Sequence, residues 1–390
     1  MRFVLGLVLA CSVGLLACSS DETRSALDAE LPARPGDAGA PASSAGTGAS
    51  GAAGMNAVDA GPRAMDAAAA PSVDARVVAS DTGVGDAADA ADAMAVDAAT
   101  DGGAAGPNVD RKGSKLYTFE FKANDADPQA TESLGIQLAQ LDTRVEPAGK
   151  LVVYLHGAGF EAPARCGSSE HGRMLAALGF HVLQPCYNSY YGVNVCGQDI
   201  GGCRLEAFEG VDHHAAIAIS PPNAIERRIV KALQHLQATN PEGDWQFYLD
   251  GDAPRWPRII ISGISHGASS AGLIAMHRRT DRAVMLSGPL DSGQAWLRGT
   301  PMTPRDRFWG FSHTADDQHS GHLVAFEQLG LPGKPTNVDQ SASPYSGSHR
   351  LISSAATSDG HSSVQAGGSS PKNGSVYLFQ PVWEQMYLSP

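Results

Sequence analysis

Gly263, Ser265 and Gly267 stand at the fixed positions of a GxSxG pattern, the spacing of a nucleophile elbow. The small residues have a mechanical purpose. A strand that reverses directly into a helix brings backbone segments so close that side chains at the two glycine positions would collide. The serine between them is forced into a strained, exposed position. A serine hydroxyl is a poor nucleophile until an imidazole takes its proton, and that imidazole needs an acid to fix its tautomer and stabilise its charged form. Beyond residue 265, His313, His319, His322, His349 and His361 compete for the first role, and Asp291, Asp316, Asp317 and Asp359 for the second. A lone GxSxG also occurs as a plain turn, so its flanks decide. Arg258 to Ile261 reads as an apolar strand, Ser262 to Gly267 as a sharp turn and Ala268 to Arg279 as a helix.

Such groups need a frame to hold them. Leu116 to Phe121 alternates enough for an opening strand, and Leu151 to Leu155 (LVVYL) is a wholly apolar run of the kind found inside a parallel sheet. It leads into His156, Gly157, Ala158 and Gly159, an HGxG segment whose small residues let main chain approach a developing negative charge. Gly172 to Leu178 predicts a helix and Phe180 to Leu183 the next strand. Tyr187, Tyr190 and Tyr191 then either line a cleft or fill a small core of their own loop. With Ser220 as N-cap, Pro at the first position and Ile225, Ile229, Leu233 and Leu236 on one side, Ala224 to Gln237 predicts a helix crossing back to the elbow strand. Asp281 to Ser287, Arg307 to Ser312 and Arg350 to Ser353 supply the remaining strands. The alternation predicts an α/β class with a mostly parallel, doubly wound sheet and crossover helices, rather than a β-sandwich.

With the elbow, the HGxG loop and a histidine after the last strand, residues 112–390 resemble the α/β-hydrolase superfamily. The blocks FSHTADDQHSGH (Phe311 to His322) and GSHRLIS (Gly347 to Ser353) resemble a little-characterised group of exported bacterial hydrolases, with members described as lipoproteins. The resemblance implies the α/β-hydrolase fold and a triad in the order Ser, acid, His. On that order His361, in the polar loop Ser358 to Ser363, is the base, because the base loop follows the final strand. Asp316, past the strand ending near Ser312, ranks first as the acid, ahead of Asp291 and Asp317, while Asp359 reads as a turn residue. The oxyanion hole would use the backbone N–H groups of His266 and Ala158. His266 departs from the small or apolar residue commonest after the nucleophile and puts a second imidazole at the mouth.

The activity implied is cleavage of a carboxylic ester, small or polymeric, through an acyl-enzyme and without a cofactor. A peptidase or amidase with the same machinery is the enzymatic alternative, and an inactive surface-displayed binding protein the alternative from another class. His313, Asp316, His319 and His322 also admit a metal reading; a packed or solvated His-rich segment is the more ordinary one. No Rossmann fingerprint, P-loop or HExxH motif occurs.

The 390 residues carry a formal net charge of −13. Phe3 to Ala17 is a short apolar run behind Arg2, too short for a confident membrane span, and reads as a signal peptide. Leu15, Leu16, Ala17 and Cys18 resemble a bacterial lipobox, with Leu9, Ala10 and Cys11 a weaker rival and an ordinary secretory signal the alternative. That reading expects lipid anchorage through Cys18 in the cell envelope, at an outer membrane, or secretion. Residues 19–111 are an Ala/Gly/Asp-rich tether with too little apolar surface to fold. Up to Asp110 the tether holds 15 acidic residues against 4 arginines, a balance of −11, so the acidity belongs to the tether. Such a charge argues against nucleic-acid partners. A monomer is expected. Four cysteines, at 166, 186, 196 and 203, fall in one 38-residue window, which in an exported chain predicts two disulfides. Three connectivities are possible. Cys196 with Cys203 is the shortest closure, and Cys166 with Cys186 its complement.

Overall fold

The structure, a computed structural model, describes residues 106–159 and 165–389. The expected signal peptide with its lipobox Cys18, and the tether as far as residue 105, lie outside the described residues. Upstream of Lys112, the Asn108 N–H donates to Asp244 Oδ2 at 2.7 Å and the Asp110 N–H to the Glu242 carbonyl at 2.9 Å.

Eight strands build the central sheet: β1 Leu116–Lys122, β2 Ile136–Asp142, β3 Leu151–Leu155, β4 His181–Gln184, β5 Ile259–Ile264, β6 Arg282–Leu286, β7 Phe308–His313 and β8 Arg350–Ser353. They lie in the order 1-2-4-3-5-6-7-8, and two two-residue strands complete the sheet, Thr336–Asn337 beside β8 and Arg165–Cys166 beside β2. Pairings of β2 with β1 and β4 are antiparallel, and those from β4 through β8 are parallel. This order, with helices on both faces, is the α/β-hydrolase fold.

The strand alternation divides the core in two. Leu151, Val153 and Leu155 of β3 face α3 Ile225–Thr239, α4 His266–His277 and α5 His319–Gln328, while Val152 and Tyr154 face α1 Ser169–Ala177 and α6 Gln380–Leu388. Buried on both faces, these strands must be apolar throughout, which is why LVVYL shows no alternation. Helix α2, Ile200–Glu209, precedes α3 and carries Cys203; we call it the cystine helix.

Two local expectations are corrected. The elbow strand runs to Ile264 and α4 starts at His266, so the turn is Ser265 alone. The crossover helix starts at Ile225. Pro221–Asn223 is a separate 3₁₀ turn, and Ala224, extended at φ −74° and ψ 147°, breaks it from α3, so Ser220 does not cap that helix. The four cysteines pair as the shortest closure and its complement: disulfides join Cys166 to Cys186 and Cys196 to Cys203. Among the described residues no helix is long and apolar enough to cross a membrane.

Candidate active site

Ser265 has φ 58° and ψ −121°, a region that a non-glycine residue occupies only when its surroundings force it. The surroundings here are backbone. A Cβ on Gly267 would lie 2.1 Å from the Leu155 carbonyl oxygen, and one on Gly263 2.5 Å from the Gly267 carbonyl carbon. Both glycines are therefore obligatory. The Ser265 N–H is tied to the Leu286 carbonyl at 2.9 Å, fixing the elbow to β6. The HGxG loop lies alongside, since a Cβ on Gly157 would sit 3.4 Å from the Ser265 Cβ. His266 is the first residue of α4, and an N–H in that position has no acceptor within its own helix. Ala158 is an exposed residue of the adjoining loop.

Asp316 lies just beyond the C-terminal end of β7 and His361 in the loop after β8. His361 Nδ1 stands 2.8 Å from Asp316 Oδ2. An ionised carboxylate only accepts, so Nδ1 carries a proton, which in the neutral imidazole leaves the lone pair on Nε2. Asp316 Oδ1 accepts the Gln318 N–H at 2.9 Å. Burial pushes the Asp316 carboxyl up, but the hydrogen bond and charge of His361, the Gln318 N–H and His322 outweigh it and hold the group at about 2. The loop that carries His361 is anchored at two more points: the His361 N–H donates to Asp359 Oδ1 at 2.9 Å, and its carbonyl accepts Ser287 Oγ at 2.7 Å.

The competing residues are occupied elsewhere. Asp291 forms a buried two-point ion pair with Arg204, at 2.6 and 2.7 Å, Asp317 is exposed, and Asp359 makes a turn beneath His361. His349 stacks on Trp309 at 3.6 Å between ring centroids. His313 Nε2 donates to the Ala355 carbonyl at 2.8 Å, while its Nδ1 accepts the Ala315 N–H at 3.0 Å. His319 and His322 both turn Nδ1 to Ser312 Oγ, each at 2.9 Å. His322 also lies 3.8 Å from Asp316 Oδ2; burial, against the pull of Asp316, brings it down to about 4. Among the described residues the group of three spaced like metal ligands is Cys196, Cys203 and His214, and both sulfurs are bonded to each other.

His266 is not at the mouth. Its side chain is buried, with Nδ1 3.1 Å from Tyr187 Oη and the Tyr191 ring edge-on at 4.7 Å. Burial, together with the charges of Arg204 and His156, pushes the imidazole far below its ordinary range. Tyr187 and Tyr191 are buried and Tyr190 is exposed, so two of the three tyrosines fill the core over α4. Arg204 reinforces this roof by donating to the His266 carbonyl at 3.2 Å and to Ser270 Oγ at 3.3 Å. A cavity of about 620 Å³ lined by Gln234, Phe247 and Arg255 lies beside the start of β5, at the end away from Ser265.

No protein-family model matches the chain, and no curated protein matches it. Among solved structures the chain is similar in fold to an S-formylglutathione hydrolase from Agrobacterium tumefaciens, at 14% identity, covering 61% of this chain and 84% of that one with a TM-score of 0.33. Esterase B from Lactobacillus rhamnosis matches at 13% identity over 62% of this chain and 78% of its own, with a TM-score of 0.32. Esterase 2 from Thermogutta terrifontis matches at 14% identity over 65% and 87%, with a TM-score of 0.31.

Proposed function

We propose that the chain is a serine hydrolase that cleaves a carboxylic ester through an acyl-enzyme. The observation that carries this reading is the Asp316–His361 bond, formed by loops at the same C-terminal end of the parallel strands as the strained Ser265. In the proposed cycle Ser265 Oγ attacks the ester carbonyl while His361 Nε2 takes its proton. The N–H groups of His266 and Ala158 receive the negative charge that develops on the carbonyl oxygen. His361 returns the proton to the departing alcohol, then activates water to release the acid and restore Ser265. Asp316 holds the imidazole in the reactive tautomer and steadies its charged form.

A fluorophosphonate probe tests the reading: it labels the native protein at Ser265 and fails to label Ser265→Ala. Labelling unaffected by that substitution, or none at all, rejects it. Comparing p-nitrophenyl esters with p-nitroanilides of the same acyl groups separates ester from amide cleavage. The same proposal includes an envelope lipoprotein anchored through Cys18. Incorporation of a clickable fatty acid, lost in Cys18→Ala, checks the anchor, and incorporation unchanged in that variant refutes it.

A further inference from the structure

Ser287 lies one residue beyond β6, where three parts of the site meet. The preceding residue, Leu286, accepts the Ser265 N–H at 2.9 Å; the Ser287 N–H donates to the Phe311 carbonyl of β7 at 2.9 Å; and Ser287 Oγ donates to the His361 carbonyl at 2.7 Å. The side chain is fully buried and the backbone sits at φ 44°. Glycine would adopt that conformation without strain, yet position 287 carries a serine whose hydroxyl is spent on the base loop. Strain held in place for a hydrogen bond of this kind points to function.

Resting on the serine-hydrolase reading, we infer that Ser287 is a positioning residue that sets the His361 imidazole relative to Ser265. The three anchors of His361 divide the task. Asp359 shapes the turn and Asp316 fixes the tautomer, but both belong to the acid and base loops. Ser287 alone of the three follows directly on the residue to which the nucleophile's backbone is bonded. Without it, the acid–base pair stays intact and shifts as a unit against the elbow.

The experiment compares Ser287→Gly with Ser287→Ala in the full-length protein, by the rate of fluorophosphonate labelling, by kcat and KM on a p-nitrophenyl ester, and by thermal midpoint. Both lose the hydroxyl, but only glycine relieves the backbone, so the glycine variant is at least as stable as the alanine one. Positioning predicts that both label and turn over roughly ten- to a hundredfold more slowly with KM unchanged, matching each other despite different stabilities. Activity near the native level in either variant, or activity that follows the stability order, overturns the inference while native labelling at Ser265 leaves the hydrolase reading standing. Failure of the native protein to label rejects that reading, and the inference with it.

Discussion

His361 Nδ1 meets Asp316 Oδ2 at 2.8 Å across 45 residues of sequence, and the contact requires a glycine beside it. A Cβ on Gly360 would lie 2.5 Å from the Ala315 carbonyl carbon and 2.6 Å from the Asp316 nitrogen. The loop that carries His361 therefore rests directly on the Ala315–Asp316 peptide.

Replacing Asp316 by asparagine keeps the shape and removes the ionised acceptor. Its amide can donate to Nδ1 and stabilise the wrong tautomer, so kcat on an activated ester should fall on the order of 10³–10⁴-fold with KM little changed. Retention of more than a tenth of native kcat would rule out Asp316 as the orienting acid. The same variant has a signature in acid. Asp316 titrates at about 2 in the folded chain against an ordinary 3.8, so the unfolded chain binds the proton first. The stability it contributes is complete above about 3.8 and is lost as pH falls towards about 2. Urea titrations should show this part of the acid limb missing in Asp316→Asn.

Gly360→Ala forces the two loops apart through a backbone clash that no rotamer change relieves. The expected outcome is a fall in kcat of roughly a hundredfold, with far-UV circular dichroism unchanged because the sheet is not involved. Native activity in this variant would mean that the acid–base contact tolerates displacement.

Buried neutral imidazoles make stability depend on mild acid. Burial lowers His156, His181 and His322 to about 4 and His171 to about 3, from 6.5. Between 6.5 and these values the unfolded chain holds protons that the folded chain does not. Stability is therefore complete above about pH 6.5 and declines as pH falls towards 4, each imidazole adding at most about 1.4 kcal/mol per pH unit to the slope. The urea midpoint should fall steadily from pH 7 to 4, more shallowly in His171→Asn. A flat profile over that window contradicts the assignment.

The Arg204–Asp291 pair ties the cystine helix to the segment after β6. Asp291→Ala strands a buried guanidinium and should cost about 3–5 kcal/mol, whereas Arg204→Met with Asp291→Leu should recover most of that loss. Equilibrium unfolding of both variants measures the difference. Equal destabilisation in the single and double variants would show that the pair is not the source of the cost.

Much of the fold was legible because its inner strands are pure apolar runs bounded by turns. β2 was hidden. Its sequence IQLAQLD places Gln137 and Gln140 in the interior, where Gln184 Nε2 of β4 donates to Gln140 Oε1 at 3.1 Å. A strand that buries two amide side chains resembles a polar surface segment until its partner is known. Ser220 carried the sequence mark of a cap, but the extended Ala224 separates it from the helix. At the site, candidate aspartates could be ranked by position, but only three-dimensional pairing shows Asp291 taken by Arg204 and Asp316 facing His361. The burial of His266 depends on Tyr187 and Tyr191, some eighty residues earlier, and no local pattern encodes that. Ser287 leaves no sequence signal, whereas the glycine immediately before His361 was a readable hint of close approach.

The bonds from Asn108 and Asp110 to the 242–244 turn give the protein a handle. Gly243, in that turn, accepts His181 Nε2 at the beginning of β4, so the turn sits at the pole where the parallel strands begin, while Ser265, Asp316 and His361 lie where they end. A load applied at Asn108 or Asp110 is received at the first pole, at the opposite end of the parallel strands from the loops that carry Ser265, Asp316 and His361. Immobilisation through the 242–244 turn should therefore leave substrate approach open, whereas attachment to the loops after β7 or β8 should obstruct it.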